Sequence, residues 1–212
     1  MTLFITHSAC LEHLTPPGHP ERPARLRAIE QVIEQEKFMF LLREQCPKAE
    51  LEVIALCHPW EYIERIRRAV PQIGLVELND DTVLSAGSFE ASLHAAGGAI
   101  LAVDGVMAGK AKNAFVAIRP AGHHAEATTA MGFCLFNNAA IAVRHAQRRC
   151  GAERAAIVDF RCPSRQRLPA NLLERSDGDV LLNSRDAALS GYRFDDRVRR
   201  IQQRCQRAAA RG

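Results

Sequence analysis

Hydrophobic and polar positions along the chain follow two periods, one typical of short buried strands and one typical of amphipathic helices. Apolar or β-branched runs bounded by polar residues predict strands at residues 2–6, 51–57, 114–118 and 155–160. Apolar residues at helical spacing predict helices at residues 23–40, 60–70, 85–109 (with Ser88 as a candidate N-cap) and 138–149. Strands and helices that alternate in this way predict an α/β domain with a parallel sheet.

Two of the predicted strands are followed by side chains that can carry out acid–base chemistry. The stretch RPAGHHAEATTAMGFCLFNN (119–138) leaves strand 114–118, and Asp159 ends strand 155–160. In parallel sheets, ligands bind beyond the carboxyl ends of the strands. If these two strands are neighbours, His123, His124 and Asp159 converge on one rim of the sheet.

Adjacent histidines at such a rim can serve as a general base and a general acid. Imidazole titrates near neutrality, and a carboxylate on the far ring nitrogen sets its tautomer and raises its basicity. The alternative is a pair of solvated loop histidines beside an aspartate that caps the backbone, and spacing alone leaves both open. The segment HPERPARL (19–26) predicts a loop that enters a helix at Pro23, and charge alone gives Arg22 or Arg25 no functional role.

Cysteine content and hydropathy bear on the cellular compartment. The seven cysteines are odd in number and form no CxxC pair, which favours reduced thiols in a cytoplasmic protein over a disulfide framework or a Cys-type zinc site. No apolar run approaches the roughly 18 residues that span a bilayer. The opening MTLFIT has no basic segment, so neither a signal peptide nor a membrane span is expected.

Charge is distributed unevenly along the chain. Residues 1–160 hold 16 Lys and Arg against 18 Asp and Glu, whereas residues 161–212 hold 12 Arg against 6 Asp and Glu, with no Lys and no His. A basic tail of this kind is one signature of nucleic-acid binding. Nucleic-acid binding is therefore one hypothesis for residues 161–212, and a second explanation of their arginine content follows from the resemblance described next.

Five sequence blocks together resemble the histone deacetylase superfamily, especially its class II and bacterial amidohydrolase-like branches. The blocks RPAGHHA, MGFCLFNNAAIA, GHPERPARL, DDTVLSAGSFEASLHAAGGA (80–99) and AAIVDF are similar to family signatures and stand in the family's order. The resemblance runs from residue 4 to residue 160. It implies a three-layer parallel-sheet arginase/deacetylase fold, here truncated to its N-terminal half. It also implies a zinc-dependent amidohydrolase acting on an acetylated lysine or polyamine.

The same resemblance implies roles for individual residues. His123 and His124 would be the general base and acid. Asp159 would partner one of them and help to hold a structural potassium ion. Gly132 and Phe133 would line the acyl-lysine tunnel, and Asp81 would touch substrate at the rim. In that mechanism zinc polarises the amide carbonyl and its bound water, while the histidines deprotonate the water and protonate the leaving amine.

The chain departs from the family directly after Phe160. In the family, VDF continues into DVHHGNGTQ, which supplies two of the three zinc ligands, and a third aspartate and a catalytic tyrosine follow later. Here the chain reads RCPSRQRLP (161–169) instead. A catalytic zinc needs three protein ligands and an open position for water. The zinc ligands are therefore absent from this chain, and we expect it not to bind the catalytic metal.

A shift of reading frame accounts for this departure. If one extra base lies near the Phe160 codon, the codons allowed for residues 161–170 can be regrouped to read DVHHGNGSQ. The same shift lets residues 184–194 read HEMPLYPGTG, which resembles the family's next block. Two motifs in order and in one frame favour a frameshift, which also explains the arginine-rich composition without any nucleic-acid partner.

The chain is accordingly divided into a family segment (residues 1–160) and a non-family, out-of-frame tail (residues 161–212). As written it is expected to be inactive and to fold poorly, because the sheet loses its later strands and strand 155–160 becomes an exposed edge. Two other hypotheses remain. A retained binding or regulatory fragment predicts a domain that melts cooperatively, and a nucleic-acid binder predicts salt-dependent DNA affinity that is lost without residues 161–212.

Overall fold

The computed structural model describes residues 1–159 and 179–183. The chain forms two compact units, Met1–Ala152 and Glu153–Gly212. None of the helices in the described part combines the length and hydropathy needed to cross a bilayer.

The first unit contains five strands and five helices among its described residues. In chain order they are β1 (Thr2–Thr6), α1 (Pro23–Ile33), β2 (Leu42–Gln45), α2 (Leu51–Ile54), α3 (Trp60–Ala69), β3 (Leu75–Glu77), β4 (Val83–Ser85), α4 (Ser88–Met107), β5 (Asn113–Val116) and α5 (Asn138–Arg149). Short 3-10 helices follow β1 and α1, at Ser8–Leu11 and Glu36–Phe38.

The central sheet is parallel and has the order β2-β1-β5. Successive side chains of a strand point to opposite faces of the sheet. Phe4 packs with Leu26 and Ile33 of α1, whereas Leu3 and Ile5 belong to a cluster packed against α4. A helix therefore covers each face of the sheet, and the predicted α/β fold with a parallel sheet is confirmed.

A third hydrophobic cluster contains no residue of the central sheet and joins α3, α4 and α5. Its largest fully buried side chains include Tyr62, Ile63, Phe136 and Ile141. The hydroxyl of Tyr62 donates to the Leu135 carbonyl at 2.6 Å, so the polar end of this large side chain is satisfied inside the cluster. This cluster supports the segment that leads into α5.

Several predicted elements are confirmed and others are wrong. The strands predicted at 2–6, 114–118 and 155–160 and the helices at 60–70 and 138–149 are present with shifts of one or two residues at their ends. The strand predicted at 51–57 is the short helix α2, because a brief apolar run does not distinguish a strand from a buried helical turn. The helix predicted to reach residue 40 ends at Ile33.

Three short strands were not predicted, and a helix cap is displaced. Strand β2 has half-exposed and exposed positions in alternation, and β3 and β4 form an antiparallel pair of three residues each. Gly87, not Ser88, is the N-cap of α4. The Ser88 hydroxyl instead accepts from the Ser85 N–H at 2.7 Å, three residues before it, whereas a cap would accept from an N–H of the first helical turn.

The second unit contains two described strands, β6 (Ala155–Asp159) and β7 (Asp179–Asn183), which pair in parallel. Ala155 lies opposite Asp179 and Asp159 lies opposite Asn183. The expectation that strand 155–160 is left as an exposed edge is therefore wrong on the side that β7 occupies. The segment DVLLN (179–183), apolar at its three central residues, supplies the pairing strand from the tail itself.

Candidate active site

The two adjacent histidines lie in the connection between β5 and α5, which we call the histidine loop (residues 119–137). His124 is buried and 3% exposed, whereas His123 is half-buried. Their rings meet edge to face, with centroids 4.2 Å apart and planes at 80°. One imidazole of the pair is thus enclosed by protein while its neighbour keeps part of its surface accessible.

Gly132 lies directly against the His124 side chain. A Cβ atom at this position would come within 2.5 Å of His124 Cδ2 and 2.7 Å of its Cγ, and the backbone φ of Gly132 is +58°. Both the space and the backbone conformation therefore require glycine. The predicted tunnel residue Gly132 is brought together with the predicted catalytic residue His124.

Phe133 continues the same tight turn with φ of +67°, a conformation rarely adopted by a non-glycine residue. Backbone hydrogen bonds in both directions between Met131 and Cys134, 3.2 and 3.0 Å long, close the turn. The Phe133 ring meets the His19 ring edge to face at 4.7 Å. A residue held in this conformation by its surroundings is typical of a functional site.

Asp81 is joined to this turn through its carboxylate. The Gly132 N–H lies 3.0 and 3.1 Å from the two carboxylate oxygens of Asp81. The Thr82 hydroxyl donates to Asp81 Oδ1 at 2.6 Å and accepts from the Phe133 N–H at 3.3 Å. Asp81, Gly132 and Phe133 therefore form one hydrogen-bonded group, and the expected contact of Asp81 with substrate stays a prediction.

Asn79 also positions this group, and the sequence provided no signal for it. Its Oδ1 accepts from the N–H groups of Thr82 and Asp81 at 2.9 and 3.2 Å, and its Nδ2 donates to the Ala130 carbonyl at 2.5 Å. An asparagine that bonds the backbone two and three residues ahead is a common turn device. Here it links the β4 hairpin to the histidine loop.

His58 supports the histidine loop from the N-terminal side of α3. Its Nδ1 donates to the Ala127 carbonyl at 3.1 Å, and its Nε2 accepts from the Asn137 N–H at 2.9 Å. This pair of contacts assigns the neutral tautomer with the proton on Nδ1. Burial lowers the pKa of His58 to about 4, although the nearby backbone carbonyls raise it in part.

A buried ion pair anchors the start of the loop. Arg119, 3% exposed, donates from Nε and Nη2 to the two carboxylate oxygens of Glu21 at 2.6 and 2.5 Å. Its guanidinium also donates to the carbonyls of Cys10 and His13, each at 2.9 Å. Among the charged residues of HPERPARL, Glu21 is thus buried, at 2% exposed, whereas Arg25 is 60% exposed.

His13 lies beside this ion pair. Its Nε2 is 3.7 Å from Glu21 Oε2, and its Nδ1 is 2.8 Å from the Ser88 hydroxyl. Burial lowers the pKa of His13 to about 4, against the opposing effect of the Glu21 carboxylate. The ring is therefore a neutral hydrogen-bonding group at physiological pH.

Asp159 is the last residue of β6 and belongs to the second unit. Its side chain lies outside the described residues. Its convergence with His123 and His124, its partnership with one of them and its contact with potassium therefore stay predictions.

The described residues around the histidine pair do not form a zinc site. Within residues 1–159 and 179–183, the side chains that bring three candidate metal-ligating atoms within 4.8 Å of one another are Asp104, His145 and Cys150. None of these belongs to the histidine loop. The positions that the resemblance associates with zinc follow Phe160 and lie outside the described residues.

The described residues thus form an α/β protein in which helices cover a parallel sheet and two adjacent histidines lie in the loop that follows strand β5. The chain matches the family model of the histone deacetylase domain over residues 19–161 and belongs to that family.

Individual relatives agree with this assignment. The chain is 38% identical over 144 residues to a histone deacetylase-like amidohydrolase of Pseudomonas aeruginosa, which covers 68% of this chain and 38% of the relative. It is 36% identical over 166 residues to a probable deacetylase of Archaeoglobus fulgidus, covering 76% of this chain and 45% of the relative. The human polyamine deacetylase HDAC10 is 33% identical over 147 residues, which cover 66% of this chain and 22% of the relative.

The fold is also found among solved structures. The crystal structure of the HDA15 HD domain superposes with a TM-score of 0.78 and 28% identity, covering 86% of this chain and 53% of that one. The chain thus spans less than half the length of the three relatives and about half of the solved domain.

Proposed function

We propose that residues 1–160 derive from a zinc-dependent deacetylase that hydrolyses the acetyl amide of an acetylated lysine or polyamine. The single observation that carries this proposal is the histidine pair, with His124 buried against Gly132 and His123 beside it. The names of the relatives, which include a polyamine deacetylase, agree with a substrate of this class.

Amide hydrolysis needs a base that deprotonates water and an acid that protonates the leaving amine. His123 and His124 provide two imidazoles in contact, of which His123 keeps accessible surface. The hydrogen bonds of Gly132 and Phe133 with Asp81 and Thr82 hold the turn that encloses His124. The chain's own residues can therefore position the two proton-transfer groups.

We further propose that the chain as written does not catalyse this reaction, because residues 161–212 are translated out of frame. The family match ends at residue 161, next to the position at which the sequence departs from the family motif. At residues 161–169 the chain reads RCPSRQRLP in place of the family motif that supplies two of the zinc ligands. We place the protein in the cytoplasm. We also expect no nucleic-acid partner, because a shift of reading frame explains the excess of arginine in residues 161–212.

Three proteins test both halves of the proposal: the 212-residue chain, the protein obtained by deleting one base at the Phe160 codon, and its His124→Ala variant. Acetate release is measured with an acetyl-lysine peptide and with an acetylated polyamine, in the presence of Zn²⁺. The restored-frame protein is expected to be active, and His124→Ala to lose about 100-fold or more, as for loss of general acid–base catalysis.

Sequencing the gene across the Phe160 codon gives an independent check on the frame. Acetate release by the 212-residue chain that a chelator abolishes would contradict its predicted inactivity. An inactive restored-frame protein that folds would contradict the deacetylase assignment itself.

A further inference from the structure

Three side chains with metal-ligating atoms meet at the carboxyl ends of α4 and α5. We call Asp104, His145 and Cys150 the carboxyl-end cluster. His145 Nε2 lies 2.6 Å from Asp104 Oδ1, and Cys150 Sγ lies 3.6 Å from the same oxygen. One ligand atom from each residue lies within 4.8 Å of the others.

The backbone around the cluster is held in place by regular structure. Asp104 lies in the last turn of α4 and His145 near the end of α5, and Cys150 is the C-cap residue of α5, with its N–H bonded to the Ala146 carbonyl at 3.0 Å. Gly151 then takes φ of +71°, which ends the helix. The three ligand positions are thus set before any metal arrives, which limits the ordering entropy that binding must overcome.

The distances suit a tetrahedral zinc ion. Zinc lies about 2.3 Å from cysteine sulfur and about 2.0–2.2 Å from histidine nitrogen or carboxylate oxygen, so neighbouring ligand atoms lie about 3.4–3.6 Å apart. The separation of 3.6 Å between Cys150 and Asp104 already agrees with this geometry. The 2.6 Å contact between His145 and Asp104 is a hydrogen bond, and it would open by about 0.8 Å when the metal replaces its proton.

The local field favours a cation. Carboxyl ends of helices carry partial negative charge, and both α4 and α5 end at the cluster. The Asp104 carboxylate adds a full charge and is 48% exposed, which leaves a path for the ion and for a water molecule. The guanidinium groups of Arg148 and Arg149 oppose binding, but both residues are exposed and their charges are screened by solvent.

We infer that Asp104, His145 and Cys150 bind one Zn²⁺ ion, with water as the fourth ligand. A set of one thiolate, one imidazole and one carboxylate is chemistry that selects zinc and its cobalt substitute over Mg²⁺ or Ca²⁺. The site is distinct from the histidine pair. The histidine loop packs against the amino end of α5, where Asn138 donates to the Pro120 carbonyl, whereas Cys150 caps the other end of the helix.

Co²⁺ binding to the full 212-residue chain tests this inference without reference to catalysis. A thiolate ligand gives cobalt an intense charge-transfer absorption in the near ultraviolet, and tetrahedral coordination gives strong visible bands. We expect both to saturate at one Co²⁺ per chain and to disappear when Zn²⁺ is added.

Variants assign the site. Cys150→Ser is expected to abolish the charge-transfer band, and Asp104→Asn to weaken Zn²⁺ affinity at least about tenfold, which is the scale seen even for supporting residues of metal sites. Cys57→Ser, which removes a half-buried thiol outside the cluster, is expected to leave both unchanged. Because Asp104 is half exposed, its variant keeps the test decisive even if Cys150→Ser fails to fold.

Two outcomes overturn the inference. One is the absence of a saturable cobalt–thiolate band in the 212-residue chain. The other is metal binding that does not depend on the cluster, shown either by a band that survives Cys150→Ser or by a Zn²⁺ affinity that Asp104→Asn leaves unchanged. A metal held by cysteines or histidines elsewhere in the chain would behave in that way.

Discussion

The histidine loop and the carboxyl-end cluster lie at opposite ends of α5 and use their polar side chains differently. Next to α5, the side chains that hold the loop bond to backbone groups: Asn137 donates to the Ala125 carbonyl, and His58 joins Ala127 to Asn137. In the cluster three side chains contact one another, and Asp104 is 48% exposed. We therefore expect substitutions in the loop to lower the free energy of unfolding. Substitutions in the cluster are expected to weaken ligand binding with little effect on that free energy.

The largest effect on stability is expected from Arg119→Met, which removes the anchor of the histidine loop. The substitution leaves the Glu21 carboxylate buried without its charge partner, and loss of one member of a buried pair costs about 3–5 kcal/mol. Urea unfolding followed by the fluorescence of Trp60, the single tryptophan, measures the change.

Arg67→Met is the matched control, since Arg67 pairs at 3.5 Å with Glu64 and is 59% exposed. Its expected cost is below about 1 kcal/mol. Adding Glu21→Gln to Arg119→Met should restore part of the loss, because the remaining buried group is then neutral. Equal costs for the Arg119 and Arg67 variants would contradict the proposed anchoring role.

Gly132→Ala is expected to have the next largest effect. The new Cβ would lie 2.5 Å from the His124 ring, and φ of +58° is strained for alanine. Overpacking adds about 1–3 kcal/mol and left-handed strain about 1–2 kcal/mol, so we expect a loss of about 2–5 kcal/mol in the free energy of unfolding.

Gly151→Ala, at the other end of α5, is the control that separates backbone strain from steric contact with a neighbouring side chain. Gly151 has a similar φ of +71°, but no atom lies within 4 Å of the Cβ position. Its expected loss is the backbone strain alone, about 1–2 kcal/mol. If the two glycine variants lose the same stability, contact with His124 does not restrict position 132.

The sequence predicts those parts of the fold in which local pattern and burial agree. Strand β1 and helix α5 follow from their apolar spacing, and α5 begins where Asn137 accepts from the Ala140 N–H at 3.0 Å. Helix α2 and strand β2 are not predicted correctly. Residues 51–54 are too short a run for periodicity to decide, and the exposed, charged β2 is a strand because β1 pairs with it.

As with the fold, only part of the candidate site can be predicted from the sequence. Resemblance to known motifs identifies His123, His124, Gly132 and Phe133, and the structure gathers them in one loop with Asp81. The supporting residues carry no such signal. His58 and Asn79 reach the histidine loop through hydrogen bonds to its backbone that span 51 to 79 positions of the chain, and only the folded chain brings those partners together.

The smallest of the three effects is a pH dependence that originates at His58. Burial holds its pKa in the folded chain at about 4, well below the value of 6.5 for an exposed histidine. Between these values the unfolded chain binds a proton that the folded chain does not, so stability falls as the pH falls from about 6.5 towards 4. At pH 5 the expected loss relative to pH 8 is about 2 kcal/mol.

Urea unfolding at several pH values, with His58→Gln as the comparison, assigns this loss to one residue. The glutamine does not titrate, and its carbonyl can replace Nε2 as acceptor for the Asn137 N–H. The variant is therefore expected to lose about 2 kcal/mol less than the parent chain between pH 8 and pH 5. A dependence remains in both proteins, because burial also lowers the pKa of His13 to about 4. Identical pH profiles for the two proteins would mean that His58 is protonated in the folded chain, and that its bridge between Ala127 and Asn137 does not hold the amino end of α5.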